Sequence, residues 1–370
     1  MKIGIDARIF KFHDYKGIAT SSYMIIKELC NNNCNHEYYL ISNTNINIPD
    51  QLPNNWNMVV SGNFQNGILW NEFELPIIIR DLGLDAFWGV NFLLPPRVSG
   101  CRYYVTVHDL ALFRFKNTAS KGTYVILRLM GKKSCLRADK IFTISKSTAQ
   151  DVTKLYGIDD HKIVLTYNGV DSAGLQSMTS KQPNLLKQTD SFFVFLSTIE
   201  PRKNPVTLLR AYELYRNKDY GNEKLVFVGA KGWKLKEFDT ALNASKYNKD
   251  IVFVGYVSNE EKKWILERAK ALVYPSLYEG FGLPILEAFS LKTPVITCNV
   301  SAMPEVGKDA AFYINDPLDY EGLAELMHKT TLLAPDETEI IHEKMSKVVS
   351  GFSWKVCSDI IIHEIEREIE

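Results

Sequence analysis

Short apolar strands alternate with amphipathic helices through most of this chain, and that rhythm leaves few folds open to it. Apolar runs at Lys2–Asp6, Glu37–Ser42, Ala86–Gly89, Tyr103–His108, Lys140–Ser145 and Lys162–Tyr167 read as strands. After a polar stretch the pattern resumes at Phe192–Ile199, Lys224–Gly229, Ile251–Gly255, Ala271–Pro275 and Pro294–Cys298. Helical periodicity falls between them, as at Ala19–Cys30, Ser147–Tyr156, Val206–Arg216, Asn259–Ala269 and Pro284–Ser290. Strands that are apolar throughout and separated by helices belong to parallel sheets covered on both faces.

At 370 residues the chain exceeds one ordinary core and suits two domains of roughly 150–200 residues each. The expected fold class is α/β, with two facing Rossmann-like domains. Residues 1–172 would form the first domain and 190–350 the second, with the polar segment Ser172–Asp190 as linker. Doubly wound sheets bind ligands outside the carboxyl ends of their strands, so a cleft between the two domains is the expected seat of any chemistry.

Lys plus Arg and Asp plus Glu each number 43, so no basic excess favours a nucleic-acid partner. Hydrophobic residues at 46% and charged residues at 23% exclude a disordered or collagen-like chain. The six cysteines include no C-x-x-C pair; Cys30 and Cys34 stand one helical turn apart with no second pair to complete a metal site. Reduced thiols in a cytoplasmic protein fit this usage better. Asp6 and Arg8 break what would be the apolar core of a signal peptide, and no apolar run reaches membrane-spanning length. The chain is expected to be soluble, or at most peripheral to a membrane.

The neutral total hides an asymmetry. Between Arg97 and Lys140 ten Lys and Arg face two acids, a local excess of about +8. Within it, residues 120–138 mix Tyr124, Val125, Leu127, Leu129, Met130 and Leu136 with Lys121, Arg128, Lys132, Lys133 and Arg137. A basic amphipathic helix of this kind can rest on the anionic inner face of the cytoplasmic membrane. It can equally turn its apolar stripe to its own core.

Three segments follow strands of the second half. Glu200-Pro201-Arg202-Lys203-Asn204 presents two cations at a strand's carboxyl end, which suits a phosphate-bearing ligand; Glu200 is expected to orient the loop rather than touch the ligand. Gly229-Ala230-Lys231-Gly232-Trp233 offers either close backbone approach to a ligand or a tight turn. The third runs from Ser276 through Glu279, Gly280, Phe281, Gly282, Leu283 and Pro284 to Glu287. Its glycines and the helix start at Pro284 make an anion seat from backbone N–H groups, flanked by two acids that can accept from sugar hydroxyls.

Glu279 and Glu287 with the intervening glycines resemble the E-x7-E motif of retaining GT-B glycosyltransferases, in particular glycosyltransferase family 4. The segment 200–204 is similar to that family's phosphate-binding segment, and Val107-His108-Asp109 resembles its first-domain active-site strand. Tyr167-Asn168-Gly169-Val170-Asp171 resembles the segment closing the first domain, and Gly17-Ile18 stands where the family carries a glycine loop.

The resemblance implies an acceptor-binding first domain and a nucleotide-sugar-binding second domain. It also implies a final helix, 353–370, that crosses back to the first domain. Arg202 and Lys203 would hold the donor diphosphate, Glu287 the ribose hydroxyls, and Glu279 the donor sugar. His108 would lie near the anomeric centre, and Gly17 would approach the phosphates. Gly280, Phe281, Gly282 and Leu283 would complete the donor seat. The chain departs from the pattern at Ser197, where some relatives have Arg, and at Lys16, where a second glycine is common.

The implied activity is a hexosyl transfer with retention, and the segments 200–204 and 232–233 resemble bacterial surface-polysaccharide mannosyltransferases. GDP-mannose is therefore the expected donor. A glycan acceptor, lipid-linked, in lipopolysaccharide O-antigen or similar synthesis is expected with it. With no Asp-x-Asp motif in the chain, no metal and no other cofactor are expected. A UDP-sugar donor, a non-hydrolysing sugar-nucleotide epimerase and an inactive scaffold of the same architecture stay open on the sequence alone.

Overall fold

A computed structural model of the chain describes residues 1–11, 17–31, 35–48, 51–115 and 121–367, without the side chains of 121–123, 126 and 127. Lys16, Cys34, Lys116, Ser120 and residues 368–370 therefore lie outside the described residues. The described residues form two units: Met1–Gly169 with Ser353–Glu370, and Val170–Phe352.

The first unit is built on seven parallel strands: β1 (Lys2–Asp6), β2 (Glu37–Ser42), β3 (Trp56–Val60), β4 (Ala86–Gly89), β5 (Arg102–Val107), β6 (Lys140–Thr143) and β7 (Ile163–Leu165), in the order β3-β2-β1-β4-β5-β6-β7. The second has six: β8 (Phe192–Leu196), β9 (Lys224–Val228), β10 (Ile251–Gly255), β11 (Leu272–Tyr274), β12 (Val295–Cys298) and β13 (Phe312–Ile314), in the order β10-β9-β8-β11-β12-β13. Both are Rossmann-like. Central strands such as β4, β5 and β12 are buried nearly throughout, which explains their unbroken apolar sequence.

Each order reverses direction once, between β1 and β4 in the first sheet and between β8 and β11 in the second. At such a point the loops after the two central strands run to opposite sides and open a crevice. The segment 200–204 follows β8 and the segment 275–282 follows β11. The topology alone brings the two strongest motifs together.

Two expectations need correction. The edge strands β3 and β13 were not legible: one is preceded by a Pro- and Asn-rich stretch, the other is three residues long. Residues 172–190 are not a free linker but part of the second unit, which begins at Val170. A helix at Ser172–Ser177, N-capped by Asp171, docks there. Gln176 Nε2 donates to the Ser290 carbonyl, and Lys263 Nζ donates to the carbonyls of Gln176 and Met178. The helix Lys121–Arg137 buries Gly131, Ser134 and Cys135 and leaves Val125, Leu129 and Leu136 exposed. Among its described side chains, these small ones meet the core, and Tyr124 packs on Phe113 at 6.1 Å.

The C-terminal helix Trp354–Arg367 belongs to the first unit, packed on the helix Ile18–Asn31. Its Ile365 carbonyl accepts from Tyr104 Oη at 3.3 Å, and Glu366 pairs with His36 at 2.7 Å. At the crossing, a Cβ on Gly169 would lie 2.1 Å from the Trp354 nitrogen, so only glycine fits there.

Candidate active site

Arg202 and Lys203 lie in a single 3-10 turn, Pro201–Lys203, directly after β8. Asn204 ends the turn in the left-handed region (φ 58°), and its Nδ2 donates to the carbonyls of Pro275 and Pro317. The loop after β8 is thereby pinned to the loop after β11. Leu277 N–H donating to the Arg202 carbonyl at 2.9 Å adds a second tie.

Across that tie, Lys203 Nζ meets Glu279 Oε1 at 2.5 Å and Tyr274 Oη at 3.0 Å. Arg202 Nη1 reaches Glu279 Oε2 at 3.1 Å and the Tyr278 carbonyl at 2.9 Å, while its Nη2 pairs with Glu200 at 2.9 Å. Glu200, expected to orient the loop, is the partner of Arg202 here. Lys203 and Glu279 are only 7% and 6% exposed, so their mutual attraction is little screened. Burial alone would raise the Glu279 carboxyl, but Lys203 and then Arg202 hold it down at about 2. Burial also lowers Lys203, against the pull of Glu279, and pushes the Tyr274 hydroxyl well above its ordinary value. Two cations and two anions make the cluster neutral as a whole.

Gly282 (φ 112°) starts the helix Leu283–Ser290, which has Pro284 in its first turn and no side-chain cap. Its N-terminal N–H groups face the end where an anion is best stabilised. Phe281 offers only its backbone at this turn, because its ring is buried edge-to-face on Phe352 at 5.6 Å. Glu287 lies on the same helix and pairs with Lys262 Nζ at 2.6 Å, a partner from the helix Asn259–Arg268. Gly229 and Gly232 do approach backbone closely, but it is their own: a Cβ on either would meet the Ser197 or Ile199 carbonyl. They hold the loop after β9 against the chain leading to Arg202.

In the first unit, His108 follows β5, is buried, and donates from Nε2 to the Val90 carbonyl at 2.8 Å. Burial lowers its pKa, so the ring is neutral at pH 7 with Nδ1 as its acceptor. Gly17 (φ 54°) is exposed at the start of the helix Ile18–Asn31 and has open space where a Cβ would stand. After β1, Arg8 pairs with Asp6, donates to the Gly67 carbonyl at 2.9 Å and Asn71 Oδ1 at 3.1 Å, and lies 4.9 Å from the Trp70 ring centroid.

The second unit therefore gathers Arg202, Lys203, Glu279 and Gly280–Leu283 around one switch point, with Glu287 on the adjoining helix. Tyr274 and Lys262 were missed by sequence reasoning, and Asn204 was named only as part of the segment 200–204. Only Asn204 carried a signal, as an Asn directly before a Pro-started helix.

Two Rossmann-like units, a C-terminal helix returning to the first, and a buried Arg-Lys-Glu cluster at the second switch point define a GT-B type glycosyltransferase. Residues 15–173 match the family model Glycosyltransferase Family 4, and residues 177–344 match Glycosyl transferases group 1. O-antigen chain mannosyltransferase B of Escherichia coli is 30% identical over 285 residues, covering 76% of this chain and 74% of that protein. The chain belongs to this glycosyltransferase family. O-antigen chain mannosyltransferase RfbU of Salmonella typhimurium (strain LT2) is 27% identical over 211 residues, covering 57% of this chain and 56% of the relative. Among solved structures, sucrose-phosphate synthase from Thermosynechococcus elongatus superposes with a TM-score of 0.74 at 14% identity, covering 100% of this chain and 98% of the other. WaaG, a glycosyltransferase involved in lipopolysaccharide biosynthesis, does so at 0.71 and 14%, covering 99% of each chain. These two share the fold.

Proposed function

We propose that this glycosyltransferase moves mannose from GDP-mannose to a hydroxyl of a lipid-linked glycan in O-antigen or related surface-polysaccharide synthesis. In this reading it works at the cytoplasmic face of the membrane, with retention at the anomeric carbon and without a metal ion. The observation that carries the reading is the Arg202–Lys203–Glu279 cluster at the β8/β11 switch point. The likeness to O-antigen mannosyltransferases over three quarters of the chain supports the choice of sugar.

The donor diphosphate takes over the N–H donors of Arg202 and Lys203, and Glu279 turns its carboxylate to the hydroxyls of the sugar. As the bond from the anomeric carbon to the phosphate oxygen breaks, negative charge grows on the diphosphate, where both cations and the helix N–H groups at Gly282–Leu283 are aimed. The acceptor oxygen attacks from the same face, and its proton passes to the departing phosphate oxygen. No protein nucleophile is required, and Arg202 and Lys203 supply the charge that a metal supplies elsewhere. Neutral His108 would accept a hydrogen bond at Nδ1 near the anomeric carbon, and Gly17 would admit the phosphates.

Incubation with a panel of GDP- and UDP-sugars and a lipid-linked glycan acceptor tests this. GDP release with GDP-mannose, matched by an α-linked product, is the expected result. Release with a UDP-sugar alone would overturn the donor assignment, interconversion of sugar nucleotides would favour the epimerase, and no turnover would favour the scaffold. Lys203→Ala should lower kcat by on the order of 10²–10³ with the fold retained, the loss typical of one charge-stabilising donor.

A further inference from the structure

We propose that Ser301 is a positioning residue for Glu279, holding its backbone while the donor draws away the cations that hold its side chain. Ser301 lies in the turn 299–302, between β12 and the helix Met303–Gly307. In the order β8-β11-β12, this turn flanks the loop after β11 on the side away from Arg202 and Lys203. The loop that carries Glu279 is therefore gripped from both sides.

Glu279 N–H donates to Ser301 Oγ at 2.9 Å, and Ala302 N–H donates to the Glu279 carbonyl at 3.4 Å. Two consecutive residues of one turn thus take both backbone polar groups of Glu279. The turn itself is anchored. Ala302 and Met303 are fully buried, and Asn299 N–H donates to the Ile314 carbonyl at 2.8 Å. Thr297, in β12, donates from Oγ1 to the Tyr274 carbonyl at 2.8 Å.

Ser301 stands at φ 52°, a left-handed conformation that strains an ordinary L residue. Glycine would adopt it freely, but glycine has no hydroxyl to offer the Glu279 N–H. That one hydrogen bond accounts for a serine at this position.

The side-chain ties of Glu279 are the ones a donor displaces. Its carboxylate is held by Lys203 Nζ at 2.5 Å and Arg202 Nη1 at 3.1 Å, and both cations turn to the diphosphate in the reaction proposed above. The backbone ties to Ser301 and Ala302 use no group assigned to phosphate, so they persist when the seat is filled. A carboxylate released from its ion pairs then keeps its aim from the turn behind it. Misplacing such a group by about 1 Å can cost on the order of 10² in rate. The inference rests on the assignment of Glu279 to the donor sugar.

Two variants of the full chain test it, assayed with GDP-mannose or whichever sugar nucleotide the wild type turns over. Ser301→Gly removes the hydroxyl and relieves the backbone; it should melt no lower than wild type, yet lose about tenfold or more in kcat. Its affinity for the matching nucleoside diphosphate, measured by calorimetry, should stay within about twofold, because the diphosphate ties are untouched. Ser301→Thr keeps the hydroxyl but places a β-branched residue at positive φ; it should melt lower and retain most of the kcat. Exchange of the Glu279 amide hydrogen, followed by NMR, should quicken by about tenfold or more in Ser301→Gly and little in Ser301→Thr.

Turnover that follows the melting temperature, full in Ser301→Gly and low in Ser301→Thr, would overturn the proposal. So would a loss of nucleoside diphosphate affinity as large as the loss of kcat, since the turn would then shape the whole seat. Unchanged exchange at Glu279 in Ser301→Gly would overturn it whatever the activity. A wild type that turns over no sugar nucleotide would instead remove the donor assignment, and the exchange rates would still decide whether Ser301 holds Glu279.

Discussion

Glu279 is buried between two cations, and its titration carries a sign that can be measured. Its carboxyl sits at about 2 in the fold against an ordinary 4.5. A depressed carboxyl contributes stability above its unfolded pKa and loses it as the pH falls toward the folded value. The wild type should therefore lose stability between about pH 4.5 and pH 2. Glu279→Gln should start less stable at pH 7 and fall less steeply over that window, as read by thermal melts at stepped pH; parallel profiles would show that the ion pair does not set the slope. Arg202, Lys203 and Glu279 were legible as motifs because each lies within a few residues of a strand end. Tyr274 and Lys262 were not, since a tyrosine closing a strand and a lysine on a polar helix look ordinary until the fold sets them against Lys203 and Glu287.

Among the elements, the alternation of strand and helix exposed both sheets and most of their central strands. It failed at the sheet edges. Edge strands need only half the apolar pattern, and β3 exposes Asn57, Met58 and Val60. The orientation of the basic helix stayed open, because its described buried side chains, Gly131, Ser134 and Cys135, are too small to mark a core face in sequence. The loop after β9 shows how an element acts on the site without touching it. Gly229 stands at φ 130° with the Ser197 carbonyl 2.2 Å from where a Cβ would be. Gly229→Ala should displace the chain leading to Arg202 and cost about 1–3 kcal/mol. The expected readouts are a lower Tm and a higher donor KM, and an unchanged KM would show the two loops to be uncoupled.

At the level of the whole molecule, the first unit is assembled from both ends of the described chain. The returning helix buries Trp354, Cys357, Ile361 and Ile365. Ile361→Ala should cost the first unit about 2–5 kcal/mol by removing a buried branched side chain. Limited proteolysis should then cut the first unit sooner than in wild type and leave Val170–Phe352 equally resistant; equal susceptibility of the two would mean that they unfold together. The crossing at Gly169 and Trp354 also sets an order in time. During synthesis the whole second unit is made between the sheet of the first unit and the last helix that covers it. The earlier-made sheet must wait with the face that this helix covers still open to water, and in the cell that interval is when a chaperone would find it.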